Sequence, residues 1–317
     1  MQVFRSLQEV PAGFGPSAVT VGKFDGVHRG HLDVFRQLCD RARGAGWAPT
    51  VVTFDRNPLA VIRPELAPPD LTSPAQKTEL LGEAGIEAEL LLEFTPELAA
   101  LSPEDFVGRV LVDALHARLV LAGGDFRFGD RGSGDVAALR GFGERSGFEV
   151  ALIDDLLLDD AGTPRRVSST WIRELMQEGR VREAAELLGR LPAVRSRVVP
   201  GEQRGRELGY PTANLDPQLE GLLPRDGVYA AWAEVEGERF GAAVSIGNNP
   251  TFQGVPQHQV EAHLLDQRRD LYGRVLRLEF VEYIRPMNAF SGVDALVAQL
   301  QADEKVIRGI LAAEAAR

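Results

Sequence analysis

The stretch "SAVTVGKFDGVHRGHLDVFRQLC", Ser17–Cys39, decides how the first half of the chain folds. A short, mostly apolar run, "SAVTV", ends in a turn with two glycines and an aspartate, and from Gly30 onward Leu32, Phe35, Leu38, Cys39 and Ala42 share one helical face. A strand that enters a glycine-bearing turn and leaves it as a helix is the opening of a βα unit. The same alternation recurs: strands are expected at "APTVVTF", "AELLLEF", "ARLVLAG" and "FEVALID", and helices at "SPAQKTELLGEAG", "SPEDFVGRVLVDALH" and "DVAALRGFGERSG". Strands alternating with helices predict an open, doubly wound α/β domain with a parallel sheet.

The texture changes near Leu191. Beyond "SSTWIRELMQEG" and "VREAAELLGR" come strand-like runs separated by Gly and Pro turns, "GVYAAWAEVEGERFGAAVSIG" and "GRVLRLEFVEYIR", with a hairpin turn at "VEGERF". A long amphipathic helix, "SGVDALVAQLQADEKVIRGILAAEAAR", closes the chain and would cover one side of a barrel or sandwich. Two domains are expected in 317 residues, divided at 1–186 and 187–317. With 44% hydrophobic and 26% charged residues, the chain can bury a sizeable core. A single cysteine, Cys39, on the apolar face of a helix is a packing residue, so disulfides and cysteine metal sites are excluded within the chain. No run is long enough to span a bilayer and no export signal opens the sequence, so a cytoplasmic protein with no membrane partner is expected. The net charge of −11 disfavours a nucleic-acid partner.

Only 5 histidines occur, yet His28 and His31 stand three apart at the strand-to-helix turn. Ligands of open parallel sheets bind beyond the carboxyl ends of strands, where this turn lies. Gly22 and Gly26 permit close backbone approach, the helix N-terminus presents free N–H groups, and two imidazoles add donors, a combination suited to phosphate. Neither G-x-G-x-x-G nor G-K-[ST] occurs in the turn, so it is neither a dinucleotide fingerprint nor a P-loop.

"GKFDGVHRGH" resembles the G-x-F-D-G-x-H-x-G-H signature of the bifunctional prokaryotic FAD synthetases, which join riboflavin kinase to FMN adenylyltransferase. "LTSPAQKTELLGEAGI", "LSPEDFV", "GGDFRFGDRGSGD" and "VSSTWIRE" are similar to further segments of that family's first half, and "GRELGYPTANL", "GVYAA", "SIGNNPTF", "VEAHLLD" and "YIRPMNAF" to its kinase module. The resemblance implies a Rossmann-like nucleotidyltransferase domain followed by an antiparallel β-barrel riboflavin kinase domain with a C-terminal helix. It also implies riboflavin, FMN and ATP as substrates and Mg²⁺ as cofactor.

In the first domain it implies that Gly22, Phe24, Asp25, Gly26, Ser169, Thr170 and Arg173 contact the nucleotide, with His28 and His31 serving the reaction. Asp125, Phe126 and Arg127 would face the flavin. Phe126 and Phe128 alternate with the polar pair, and packing is expected for at least one of the two rings. A helix cap is an equal reading of Ser168. One departure stands out: Asn57 in "TFDRNP" occupies a place where the family commonly has histidine. Asparagine donates but carries no charge, which implies adenylyl transfer that is slower or leans on neighbours such as Lys23. A kinase whose weakened first domain merely binds flavin is the alternative reading.

In the second half, Thr212 and Asn214 lie two apart in "PTAN", so an extended segment turns their oxygens to one face, suited to Mg²⁺. By resemblance Glu261 is the general base, and Gly201, Arg206 and Gly209 belong to a glycine-rich loop over the phosphates. Asn249 and Arg285 would lie toward the flavin. Oligomeric state is left open. An adenylyltransferase with an RNA-binding second half is disfavoured by the acidic balance and the absence of basic, aromatic-interleaved strands.

Overall fold

The computed structural model describes residues 1–201, 209–247 and 259–316. The chain divides into two compact units, Met1–Ser168 and Ser169–Arg317.

The first unit is built on six parallel strands: β1 (Gln2–Phe4), β2 (Ser17–Val21), β3 (Ala48–Phe54), β4 (Ala88–Leu92), β5 (Ala117–Gly123) and β6 (Glu149–Ile153). They run in the order β1-β4-β3-β2-β5-β6. Strands covered on both faces need apolar residues at nearly every position, which is why β4 is buried throughout and β3 at five consecutive positions. On one face Ala18, Val51, Leu119 and Leu121 pack with Phe35, Leu38, Cys39 and Ala42 of helix Arg29–Ala45 and Leu81 of helix Pro74–Glu83. On the other, Val19, Val52, Leu90 and Val120 meet Phe106, Val110, Leu111 and Leu139. Each fully buried Leu or Phe contributes roughly 1.5–3 kcal/mol. Cys39 is a core residue, as expected from its helical face.

All five strands expected in this half are present. The three-residue β1 and the hairpin β7 (Leu157–Asp160) to β8 (Thr163–Arg166) were not expected. The segment expected as one α-helix over 102–116 starts as α-helix, Pro103–Phe106, and continues as π-helix, Val107–Ala114.

The second unit begins with helices Ser169–Glu178 and Val181–Leu188 and continues as a barrel: β9 (Ala193–Val199), β10 (Ala213–Leu215), β11 (Gly227–Val235), β12 (Glu238–Gly247), β13 (Gln259–Leu264) and β14 (Val275–Arg285). The described strands close in the antiparallel order β10-β13-β12-β11-β14-β9, so the architecture is a barrel and not a sandwich. Alternation sets its lining: Val194, Ala213, Tyr229, Ala231, Val244, Ala262 and Leu278 are buried, while their chain neighbours Asn214, Ser245 and Glu261 are only half-buried and face outward. The expected hairpin turn is Glu236–Gly237, both residues with positive φ, the backbone of a two-residue turn that matches strand twist. Helix Val293–Ala315 covers part of the outer face, its Ile307 and Leu311 packing on Ala230 and Val281.

Candidate functional site

In the first unit the strand order reverses between β2 and β5, since β3 and β4 lie to one side and β6 to the other. That crevice is where open α/β sheets bind ligands. Two of the motifs leave from it: the turn 22–28 follows β2, and the loop 124–135 follows β5.

The turn is strained. Phe24, Gly26 and Val27 all have φ between 40° and 80°, and for the two non-glycine residues this region costs on the order of 1–3 kcal/mol each. Burial and cross-ties hold them there. Phe24 and Val27 are in the core, and the Phe24 ring folds back so closely on Gly22 that a Cβ at Gly22 would lie 2.8 Å from it. Asp25 Oδ1 accepts from the backbone N–H groups of Leu71 (2.9 Å) and Thr72 (3.3 Å), and Gly26 N–H donates to Thr72 Oγ1 (3.2 Å). His28 then caps helix Arg29–Ala45: its Nδ1 accepts from His31 N–H at 3.4 Å, so in the neutral ring Nε2 carries the proton. The two imidazoles stack at 3.6 Å with 19° between planes, and Phe24 meets His31 edge-on at 5.2 Å. His28 is buried and His31 half-buried. The structure thus brings Gly22, Phe24, Asp25, Gly26, His28 and His31 into one feature at the sheet's switch point.

Beside this turn a small cleft is lined by Lys23, Asp25, Asp55, Asn57, Asp70 and Lys77 among others. Asp55 Oδ1 accepts from Phe94 N–H and its other oxygen from Arg56. Although burial opposes it, these bonds hold the carboxyl below the usual carboxylate range. Asn57 is a helix cap here, its Oδ1 accepting from Leu59 N–H at 3.1 Å.

In the β5 loop, Asp125 pairs with Arg166 at 2.7 Å, which holds its carboxyl below the ordinary range, and Arg166 also reaches Asp155 at 3.0 Å. Arg127 pairs with Asp135 at 3.3 Å. Asp135 in turn caps helix Val136–Ser146 by accepting from Ala138 N–H. Phe128 is core; Phe126, half-buried, stacks on it at 5.4 Å. Arg166, at the end of β8, thus ties the β5 loop to the chain just before the segment 167–174. Sequence reasoning passed over it because a salt bridge across 41 residues leaves no local signal. Ser169 and Thr170 open the first helix of the second unit, and Arg173 is buried on it.

In the second unit the register lines up one rung of the barrel. Asn214 on β10 pairs with Glu261 on β13, Glu261 with Ser245 on β12, Ser245 with Val228 on β11, and Val228 with Arg285 on β14. Residues directly opposite in an antiparallel pair share a face with Cβ atoms roughly 4.5–5.5 Å apart, so Asn214, Glu261 and Ser245 stand side by side on the outer surface. Ser245 is a candidate that sequence reasoning missed, because only the strand register reveals it. Gly201 lies against Asn214 so closely that any Cβ there would fall onto the Asn214 amide. At the barrel mouth a cavity of about 580 Å³ is lined by Gly209, Thr212, Ala262, Arg268, Arg269 and Tyr272 among others. Arg285 is bound to the C-terminal helix: Nε and Nη2 donate to Asp303 at 2.7–3.1 Å, and Nη1 donates to the Pro286 carbonyl. Arg206 and Asn249 lie outside the described residues.

A family model described as FAD synthetase matches residues 12–170, and one described as riboflavin kinase matches residues 188–311. A protein of Listeria monocytogenes, 35% identical over 93% of this chain and 92% of its own length, is named bifunctional riboflavin kinase/FMN adenylyltransferase. This chain belongs to that family. A Pseudomonas fluorescens member of the same name is 35% identical over the whole of both chains. Among solved structures, one from Streptococcus pneumoniae, titled a macrolide-efflux protein, superposes with a TM-score of 0.83 at 32% identity, covering 96% of this chain and 98% of its own. Among the described residues no helix is long and apolar enough to cross a membrane. Both halves of the family are matched in this chain, which does not favour a kinase with a lapsed first domain.

Proposed function

We infer that this chain carries out two consecutive steps of flavin cofactor synthesis: ATP-dependent phosphorylation of riboflavin to FMN in the second unit, and adenylylation of FMN by ATP to FAD with release of pyrophosphate in the first. The observation that carries this reading is the match of one chain to both families, each aligned with a differently built unit. We place the functional boundary at 186/187, within the interval between the two matched regions.

Adenylyl transfer needs in-line positioning and stabilisation of phosphate charge far more than covalent help. The turn 22–28 meets this demand with a helix N-terminus and the stacked His28 and His31, while Gly22, Phe24, Asp25 and Gly26 shape the floor. By the family resemblance Ser169 and Thr170 carry hydroxyls, and Arg173 a planar fork, of the kind that binds nucleotide phosphates. Asp125, Phe126 and Arg127 form the flavin side, with Arg166 holding Asp125 in place.

For the kinase step, Glu261 takes the proton from the riboflavin 5′-hydroxyl as its oxygen attacks the γ-phosphorus of ATP, the bond to the β,γ-bridging oxygen breaks and ADP leaves. Among the described residues no group of three His, Cys, Asp or Glu side chains could cage a metal. Neutral oxygens of Thr212 and Asn214 suit Mg²⁺ nonetheless, since that ion commonly takes few protein ligands and completes its shell with water and substrate phosphates. When bound, Mg²⁺ supplies charge screening across the phosphates. Gly201 keeps space beside Asn214; by the family resemblance Gly201, Arg206 and Gly209 serve phosphate binding and Asn249 and Arg285 flavin binding, Arg206 and Asn249 being outside the described residues. The acidic chain works in the cytoplasm without a nucleic-acid or membrane partner. Incubating the protein with riboflavin, ATP and Mg²⁺ and resolving FMN from FAD tests the reading. Both products are expected, and their absence overturns it.

A further inference from the structure

Lys77, on helix Pro74–Glu83, is 7% exposed, although its side chain ends in an ammonium group. The nitrogen donates to the Phe54 carbonyl at 2.7 Å, the Lys23 carbonyl at 3.3 Å and Thr53 Oγ1 at 3.1 Å. Thr53 Oγ1 itself donates to the Lys23 carbonyl at 3.2 Å. Lys23 is the second residue of the histidine turn, and Phe54 is the last residue of the neighbouring strand. One buried cation therefore binds the carbonyl ends of the chain leaving β2 and of β3, both at the sheet edge that carries the candidate site. Burying an ammonium is costly unless its protons are all used, and here three oxygens use them.

An apolar side chain could fill this volume but would leave the strand-end oxygens without this donor. An ammonium surrounded by strand-end carbonyls does something further: it fixes the spacing of two loops that open on the same cleft. Resting on the adenylyl-transfer reading above, we propose that Lys77 is a positioning residue for FAD formation, holding the turn 22–28 at the setting in which His28, His31 and the helix N-terminus meet the phosphates.

The charges around Lys77 come from every neighbouring element: Glu89 on β4, Asp25 in the turn, Asp55 past β3 and Asp70 in the following loop. These favour the protonated amine, but burial outweighs them and pushes it below the ordinary lysine value. The tie is accordingly complete on the acid side of that lowered value and weakened as pH rises through it, when the amine keeps two N–H donors for three oxygens.

The test uses the full chain and both product assays. Lys77→Met keeps the aliphatic stem and removes the donors. FAD formation from supplied FMN is expected to fall about 10²-fold in kcat, the scale of a small misplacement of reacting groups, with KM for FMN and ATP unchanged. The wild type is expected to show an alkaline limb in kcat for FAD formation, and that limb should be absent in the variant. FMN formation in the same molecule should be unaffected. Thr53→Val, which deletes the shared hydroxyl, should fall in the same direction by less, and it carries the test alone should Lys77→Met not fold. A folded Lys77→Met protein with wild-type kcat, or a change in KM alone, overturns the proposal. A wild-type protein that makes no FAD overturns the underlying reading instead.

Discussion

The first unit assembles its candidate groups on loops beyond β2, β3 and β5, whereas the second sets Asn214, Glu261 and Ser245 on adjoining strands of one barrel rung. Loop-borne groups take their positions from distant ties: Asp25 is held to Leu71 and Thr72, and Asp125 to Arg166. Strand-borne groups take theirs from register, in which a one-residue slip would turn every side chain to the opposite face. A site of the first kind is open to damage from far along the sequence, and one of the second kind mainly from its own ladder.

That contrast can be broken most sharply at Glu261. Glu261→Gln removes the proposed base and is expected to lower FMN formation by about 10²–10⁴-fold, while FAD formation from supplied FMN persists; chromatographic separation of the two flavins reads both. His31→Ala is the mirror experiment, expected to reduce FAD formation by about 10²–10³-fold, the scale of losing one preorganised donor, with FMN formation retained. Should His31→Ala silence both steps in a folded protein, the division of labour between the units is wrong. Gly201→Ala, which drives a methyl group onto the Asn214 amide, is expected to weaken FMN formation and raise the Mg²⁺ concentration that half-saturates it, an effect smaller than loss of the base.

The remaining two sharpen the loop side. Asn57→Ala deletes the cap of helix Pro58–Ile62 and should cost about 1 kcal/mol, measured by denaturant titration. The Asp125–Arg166 pair is the gentlest probe. The folded carboxyl sits below its unfolded value of about 3.9, so its stabilisation is fully present above that value and disappears as pH falls through the folded one. Both partners are about half exposed or more, so the loss should be under about 1 kcal/mol, visible as an NMR titration of the Asp125 carboxyl that moves upward in Arg166→Gln.

Much of this architecture is legible in the residues. Strands β2 to β6 announce themselves because a sheet covered on both faces demands nearly unbroken apolar runs, and the helix after His28 because its buried positions repeat with helical spacing. Strand β1 escapes notice, being three residues paired only to β4, and β7 and β8 because "LLDD" and "TPRR" have neither alternation nor a run. The π-helical winding of Val107–Ala114 is hidden since its apolar residues serve either helix. In the sites, the glycines and histidines of the turn can be read locally. Lys77, Arg166 and Ser245 cannot, because each acquires its partner only when segments 23, 41 and 16 residues away are folded against it.

The closure of the barrel carries a further consequence for how the molecule behaves when concentrated. Every described strand of that unit has a neighbour on both sides, so none of them is an edge strand, although the three-residue β10 pairs with each neighbour over only two residues. The parallel sheet ends at β1 and β6, each with an unpaired flank. The β7–β8 hairpin likewise has two unpaired flanks. Edge-to-edge association, wherever it arises, therefore begins on these strands of the first unit, and charges introduced along them should suppress it more than changes to the barrel would.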